Sequence, residues 1–148
     1  MFKHILLPID GSALAMKGAR AGVRLAKALG ARVSGVYVIP PYVPPMYGEG
    51  AMYVPPVEPQ EYRRMTEKQA GKALAAVEAE ARGAGVRCKS LFLTDSQPFK
   101  GILRAARSQK CDAIVMASHG RGGLGGLILG SETTRVLGHS KIPVIVIR

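Results

Sequence analysis

Short apolar runs recur along this chain with helix-length stretches between them, and that alternation constrains the fold more than any other feature. HILLPI (residues 4–9), VSGVYVI (33–39), VRCKSLFLT (86–94), DAIVMAS (112–118) and IPVIVIR (142–148) each have strand length and β-branched or apolar content. After the first run, ALAMKGARAGVRLAKALG repeats its apolar positions at helical spacing and stops at Gly30. A second helix is read in YRRMTEKQAGKALAAVEAEARGAG, which ends in Gly83 and Gly85. Asp95 or Ser96 is placed to cap a third, with Pro98 in its first turn and its end near Lys110. Ser131 to His139 reads as a short fourth. Runs that are apolar throughout, rather than alternating, suit strands buried on both faces. The chain is therefore expected to form an α/β fold: a single doubly wound domain over residues 1–148, with a five-stranded parallel sheet and helices on both faces. In such sheets a ligand binds beyond the carboxyl ends of the strands, at the topological switch point.

Composition removes several function classes. The apolar run at the N-terminus is interrupted by Pro8 and Asp10, and no stretch approaches the ~18 apolar residues of a membrane span. A cytoplasmic protein without membrane contact is expected. Cys88 and Cys111 have no CxxC partner, which argues against both a disulfide framework and a structural metal site, so both read as ordinary packed thiols. The net charge of +11 favours anionic partners without choosing among them. Its basic residues (Lys17, Arg20, Arg24 and Lys27, then Arg63, Arg64, Lys68 and Lys72, then Arg104, Arg107 and Lys110) are spread as solvated faces of successive helices would be. Nucleic-acid binding would rest on charge alone, because the few tyrosines and phenylalanines form no stacking platform, and it is not expected.

Residues 40–60 hold most of the ten prolines and an imperfect repeat, Tyr42-Val43-Pro44-Pro45 against Tyr53-Val54-Pro55-Pro56. Proline continues neither a helix nor a central strand, so this is a surface excursion with polyproline character, open to a role as a lid, as a partner-binding segment or as a plain insertion.

The stretch ASHGRGGLGGLILGSET (117–133) carries two partial nucleotide signatures. Gly120 to Gly125 satisfies GxGxxG after a predicted strand, but the acid that should end the next strand and hold a ribose is missing from IPVIVIR. Gly125-x4-Gly130-Ser131 half-resembles a P-loop, but lacks its lysine. What both share survives: glycines let backbone amides approach an anion, and a helix opening at Gly130-Ser131 aims its unpaired amides at the loop. Ser131 serving only as that helix's cap is the plainer alternative. His119 has no partner carboxylate in sequence reach and reads as a loop residue, while His4 and His139 read as structural. No catalytic constellation and no metal-ligand spacing is visible.

From KHILLPIDGS to the C-terminal DAIVMASHGRGGLGGLILGSETTRVLGHSKIPVIVIR, the chain resembles the universal stress protein family over essentially its whole length. The ATP-binding branch of that family carries G-x2-G-x9-G-[ST]. Here Gly120, Gly130 and Ser131 match at the family's spacing, and Ala117 replaces the first glycine. Glu132 also stands where the family usually has an apolar residue, and a carboxylate there would repel a nearby phosphate. The resemblance implies strand order 3-2-1-4-5, with Asp10 facing the glycine loop across the crevice. It further implies that Asp10 holds the adenosine end of a nucleotide, that Val38 packs near adenine, and that Met116, Ala117, Gly120, Arg121, Gly130, Ser131 and Thr133 lie along ribose and phosphates. For Asp10 the plainer alternative is a helix N-cap within Asp-Gly-Ser.

ATP or a related adenine nucleotide, with Mg2+ accompanying its phosphates, is thus the expected ligand, and a stress-response sensor or regulator the expected role. Turnover would be limited to slow hydrolysis or autophosphorylation. Residues 142–147 would form a flat apolar edge strand, which a second copy could cover antiparallel, as family members do; a homodimer is expected. The alternative is a family member without nucleotide binding that serves as a dimeric interaction module, through the proline-rich excursion or with some other protein partner.

Overall fold

The computed structural model describes residues 1–44, 57–119 and 129–148. Elements follow in the order β1 (His4–Pro8), α1 (Ala13–Leu29), β2 (Arg32–Ile39), α2 (Pro59–Ala84), β3 (Cys88–Thr94), α3 (Pro98–Ser108), β4 (Ala113–Ala117), α4 (Ser131–His139) and β5 (Val144–Ile147). All strands pair in parallel in the order β3-β2-β1-β4-β5. The chain therefore winds outward from β1 in one direction and returns to its other side through β4, so the switch point falls between the ends of β1 and β4.

Strand periodicity divides the core. Ile5, Leu7 and Ile9 face α1 and α2, where they join Val23, Leu74 and Val77; Leu6 faces the other way and joins Val36, Ile102, Ile114 and Val136 beneath α3 and α4. Because β1 and β4 are covered on both faces, every residue of each is buried. Glycines let α1 lie close to the sheet. A Cβ at Gly18 would stand 2.9 Å from the Ala117 nitrogen, and one at Gly22 would collide with the Leu7 side chain. Lys17, Arg20, Arg24 and Lys27, like the basic residues of α2 and α3, are exposed, as expected of solvated helix faces.

Several local readings are corrected. Gln97, not Asp95 or Ser96, occupies the N-cap position of α3, and its side chain makes no capping bond. Asp95 instead accepts the Gln97 amide at 3.0 Å and pairs with Arg104 at 3.3 Å. The helix ends at Ser108 rather than near Lys110, which adopts φ 53° beyond its end. The excursion assigned to 40–60 stops short of Pro59 and Gln60, because proline at the first helical position has no amide to satisfy and so opens α2. The edge strand assigned to 142–147 begins at Val144, after Pro143. Residues 45–56, which hold most of the proline repeat, lie outside the described residues.

The base of that excursion is tied together. Tyr42 donates its hydroxyl to the Val57 carbonyl, Tyr62 of α2 donates to the Pro40 carbonyl, each at 2.8 Å, and the two rings stack tilted at 5.4 Å. At the opposite end of the sheet the Asp112 carboxylate accepts the amides of Lys3 and His4 at 2.8 and 3.0 Å. His4 is buried with its Nε2 2.8 Å from Ser34 Oγ, a structural role consistent with its place in β1.

Candidate functional site

The turn after β1 follows directly from Asp-Gly-Ser. One Asp10 carboxylate oxygen accepts the Ser12 amide at 2.9 Å, and Gly11 takes φ 85°, a conformation other residues rarely adopt. Ser12 then caps α1, its Oγ accepting the Ala15 amide at 3.1 Å. The cap is Ser12, not Asp10, and Asp10 is left at the carboxyl end of β1 facing the crevice.

Across the crevice, the ends of the glycine loop are pinned to each other. Gly130 donates its amide to the Ser118 carbonyl at 2.8 Å, Thr133 donates its hydroxyl to the Ala117 carbonyl at 3.0 Å, and Ser118 is held to β5 through the Ile147 carbonyl at 2.8 Å. Gly130 stands at the N-cap of α4 and Ser131 is its first helical residue, so Ser131 is not the cap. Glycine is favoured at 130 by space rather than by torsion. Its φ is −61°, but a Cβ would meet the Ser118 oxygen at 3.2 Å and His119 Cα at 3.3 Å. The first intrahelical bond is donated by Thr134 to the Gly130 carbonyl, so the amides of Ser131, Glu132 and Thr133 have no acceptor among the described residues. They form the electropositive end of α4.

Ala117 ends β4 with a negative φ and is nearly fully buried. Its methyl group is accommodated without backbone strain, so the substitution for glycine costs no conformational energy.

These elements enclose a cleft of about 400 Å³ beyond the ends of β1, β2 and β4. Seven of the residues singled out in the sequence line it: Asp10, Val38, Met116, Ala117, Gly130, Ser131 and Thr133. Gly120 and Arg121 lie outside the described residues. Two roles shift with the geometry: the Gly130 amide and the Thr133 hydroxyl are spent on closing the loop. Sequence reading missed the wall that α3 contributes, Pro98 and Ile102, although their i,i+4 spacing on an apolar helix face was a usable signal. Tyr37 and Pro40 complete the opposite rim.

Glu132 also lines the cleft, and its side chain is anchored. Oε2 accepts the Phe99 amide in the first turn of α3 at 2.8 Å, and Oε1 accepts from Arg135 at 3.2 Å. His119 Nδ1 lies 3.0 Å from Ser118 Oγ, a local contact, and no carboxylate among the described residues is seen to bond the imidazole. Burial and the neighbouring Asp112 charge push the Cys111 thiol up to about 11, and burial raises Cys88 as well; both are free and protonated. Among the described residues no group of three His, Cys, Asp or Glu could hold a metal, and no helix is long and apolar enough to cross a membrane.

A model of the universal stress protein family matches residues 1–148. The chain belongs to the universal stress protein family. A universal stress protein of Thermus aquaticus, from the region 3' of a QAH/OAS sulfhydrylase, is 36% identical over 150 residues, covering 100% of both chains. Among solved structures, UspA from Lactobacillus plantarum superposes with a TM-score of 0.76 at 22% identity, over 99% of this chain and 97% of that one. A universal stress protein in complex with cAMP aligns with a TM-score of 0.69 at 16% identity, over 99% and 97% of the two chains. One from Archaeoglobus fulgidus in complex with dAMP aligns at 0.66 and 18%, over 100% and 98%. These likenesses establish the doubly wound fold.

Proposed function

We propose that the cleft binds ATP or a related adenine nucleotide, and that this universal stress protein acts as a cytoplasmic sensor or regulator whose state follows nucleotide occupancy. The observation that carries the reading is the convergence on one cleft of a carboxylate at the end of β1 and three first-turn amides of α4 that have no acceptor among the described residues. Asp10 would accept hydrogen bonds from ribose hydroxyls or the adenine amino group. Val38, Met116 and Ile102 would supply the apolar wall for the ring, and the amides of Ser131, Glu132 and Thr133 would take phosphate oxygens, joined by Gly120 and Arg121 of the loop. Relatives of the same fold in complex with cAMP and dAMP support an adenine ligand. Mg2+ would arrive as a chelate of the phosphates, since the described cleft residues do not assemble a metal site of their own. Among the described residues that line the cleft no nucleophile stands hydrogen-bonded to a base held by a carboxylate, and the role proposed is one of binding.

A homodimer completes the proposal. Val144 to Ile147 are half-buried apolar residues on an edge strand, and pairing with the same strand of a second copy would cover them.

The test is mass spectrometry of what the purified protein releases on denaturation, followed by calorimetric titration of the emptied protein with Mg2+-ATP and with AMP. Binding at micromolar concentration that Gly130→Val abolishes, with the dimer intact, is the expected result. No binding of either at millimolar concentration overturns the nucleotide reading and leaves the dimeric interaction module in its place.

A further inference from the structure

Among the described residues, the Asp, Glu, Lys and Arg side chains that line the cleft are all acidic, against the basic chain around it. The protein has a net charge of +11, yet among the described residues the cleft is lined by no lysine or arginine, and its acidic side chains are Asp10 and Glu132. Glu132 stands at the second position of α4, within the turn whose amides face the cleft. A surface glutamate there would swing into water and matter little. This one is fixed: the Phe99 amide holds Oε2 at 2.8 Å, so the carboxylate sits where the first turns of α3 and α4 meet. Arg135 approaches Oε1 at 3.2 Å, but its side chain is 53% exposed and does not line the cleft, so it offsets the carboxylate's charge only in part.

We propose that Glu132 sorts ligands of this cleft by phosphate charge. This rests on reading the cleft as an adenine-nucleotide site. Adenosine and its monophosphate fit beside the carboxylate, whereas each further phosphate brings negative charge toward a group that cannot move away without uncapping α3. A metal-free triphosphate is disfavoured. Like charges juxtaposed in a partly desolvated site cost enough to change affinity by about tenfold or more.

The experiment is calorimetric titration of the full chain with adenosine, AMP and ATP at one ionic strength, with chelator present, for the native sequence and Glu132→Gln. Glutamine keeps the size of the side chain and a carbonyl oxygen for the Phe99 amide, so it removes charge and little else. The expected result is that Glu132→Gln raises metal-free ATP affinity about tenfold while adenosine and AMP change by less than about threefold. Arg135→Gln, at an exposed position, should move the ATP-to-AMP ratio the opposite way. An unchanged ratio in both variants, with adenosine or AMP still binding, overturns the role of Glu132 alone. Failure of all three ligands to bind any variant at millimolar concentration overturns the nucleotide reading, and this inference with it.

Discussion

The Thr133 hydroxyl and the Ala117 carbonyl meet at 3.0 Å, and both residues are buried. This bond fastens the first turn of α4 to the last residue of β4, so the intervening loop leaves and returns through a fixed base. Thr133→Val keeps the shape and removes the donor, leaving the Ala117 oxygen without this partner. It should lower unfolding stability by about 1–3 kcal/mol, the cost of an unsatisfied buried group. Urea denaturation checks this, and nucleotide affinity should fall alongside as the α4 amides lose their fixed position.

Asp10→Asn separates ligand binding from folding. Asparagine keeps an oxygen for the Ser12 amide, so the turn into α1 should persist and the protein remain folded. What disappears is the charge-assisted acceptor, whose hydrogen bonds are worth about 1.5–3 kcal/mol, so adenosine and AMP affinities should fall about tenfold or more. Calorimetry beside a thermal melt reads both effects, and an affinity unchanged within error would remove Asp10 from the site.

The layout of the sheet was legible because its signals are local: uninterrupted apolar runs, helical spacing, and Gly30 and Gly85 as C-caps. The order of the strands came from the family resemblance, not from the runs themselves. Asp10 and the loop from Ala117 to Thr133 stood out because the Asp-Gly-Ser turn and the glycine motif are each contiguous in sequence, whereas Val38 and Met116 were named only through the family resemblance. What escaped depends on side chains meeting across the fold. Nothing near Glu132 indicates that it caps a helix 33 residues earlier, since that contact exists only once α3 and α4 pack on the same face. The cap of α3 failed for a related reason: where two candidate residues adjoin, backbone torsions choose among them, as they do at α1, where Gly11 leaves the cap to Ser12 and not to Asp10.

The buried His4 gives stability a dependence on acid. Burial and then the Arg32 charge, aided by Lys89, lower its pKa from 6.5, against weaker opposing pulls from the Gln109 carbonyl and Asp112. The folded protein therefore binds the proton less readily than the unfolded chain. His4's contribution is complete above pH 6.5 and declines as pH falls toward its folded value. For Asp112, partial burial alone would raise the carboxyl, but the amides of Lys3, His4 and Asp112 itself hold it below 3.8, so its contribution is lost only at lower pH still. Urea titrations at pH 7.5 and 5.0 should show lower stability at the acid value, and His4→Gln, which keeps a polar group toward Ser34, should flatten the difference.

The tyrosine clamp predicts a local rather than global effect. Tyr62→Phe removes the bond to the Pro40 carbonyl but preserves the ring stacked on Tyr42. Both partners are at the surface, so the melting temperature should change little, by about 1 kcal/mol equivalent or less. Amide exchange should instead accelerate around residues 40–44 and 57–62, and because Pro40 rims the cleft, nucleotide dissociation should quicken with it.

Edge-strand pairing is tested by placing charge where a second copy would lie. Val144 to Ile147 pair with β4 on one side only, and all four are half-buried in the single chain. A lysine in an edge strand opposes further pairing, since two copies would bring like charges together across a two-fold axis. Val146→Lys should therefore yield a monomer by sedimentation or light scattering, with far-ultraviolet dichroism retained. Ile145 and Ile147 pack against the α1–α2 side of the core, so substitution there would destabilise the fold and confuse the outcome. A Val146→Lys protein that stays dimeric would place the interface elsewhere on the surface and leave β5 as a bare edge.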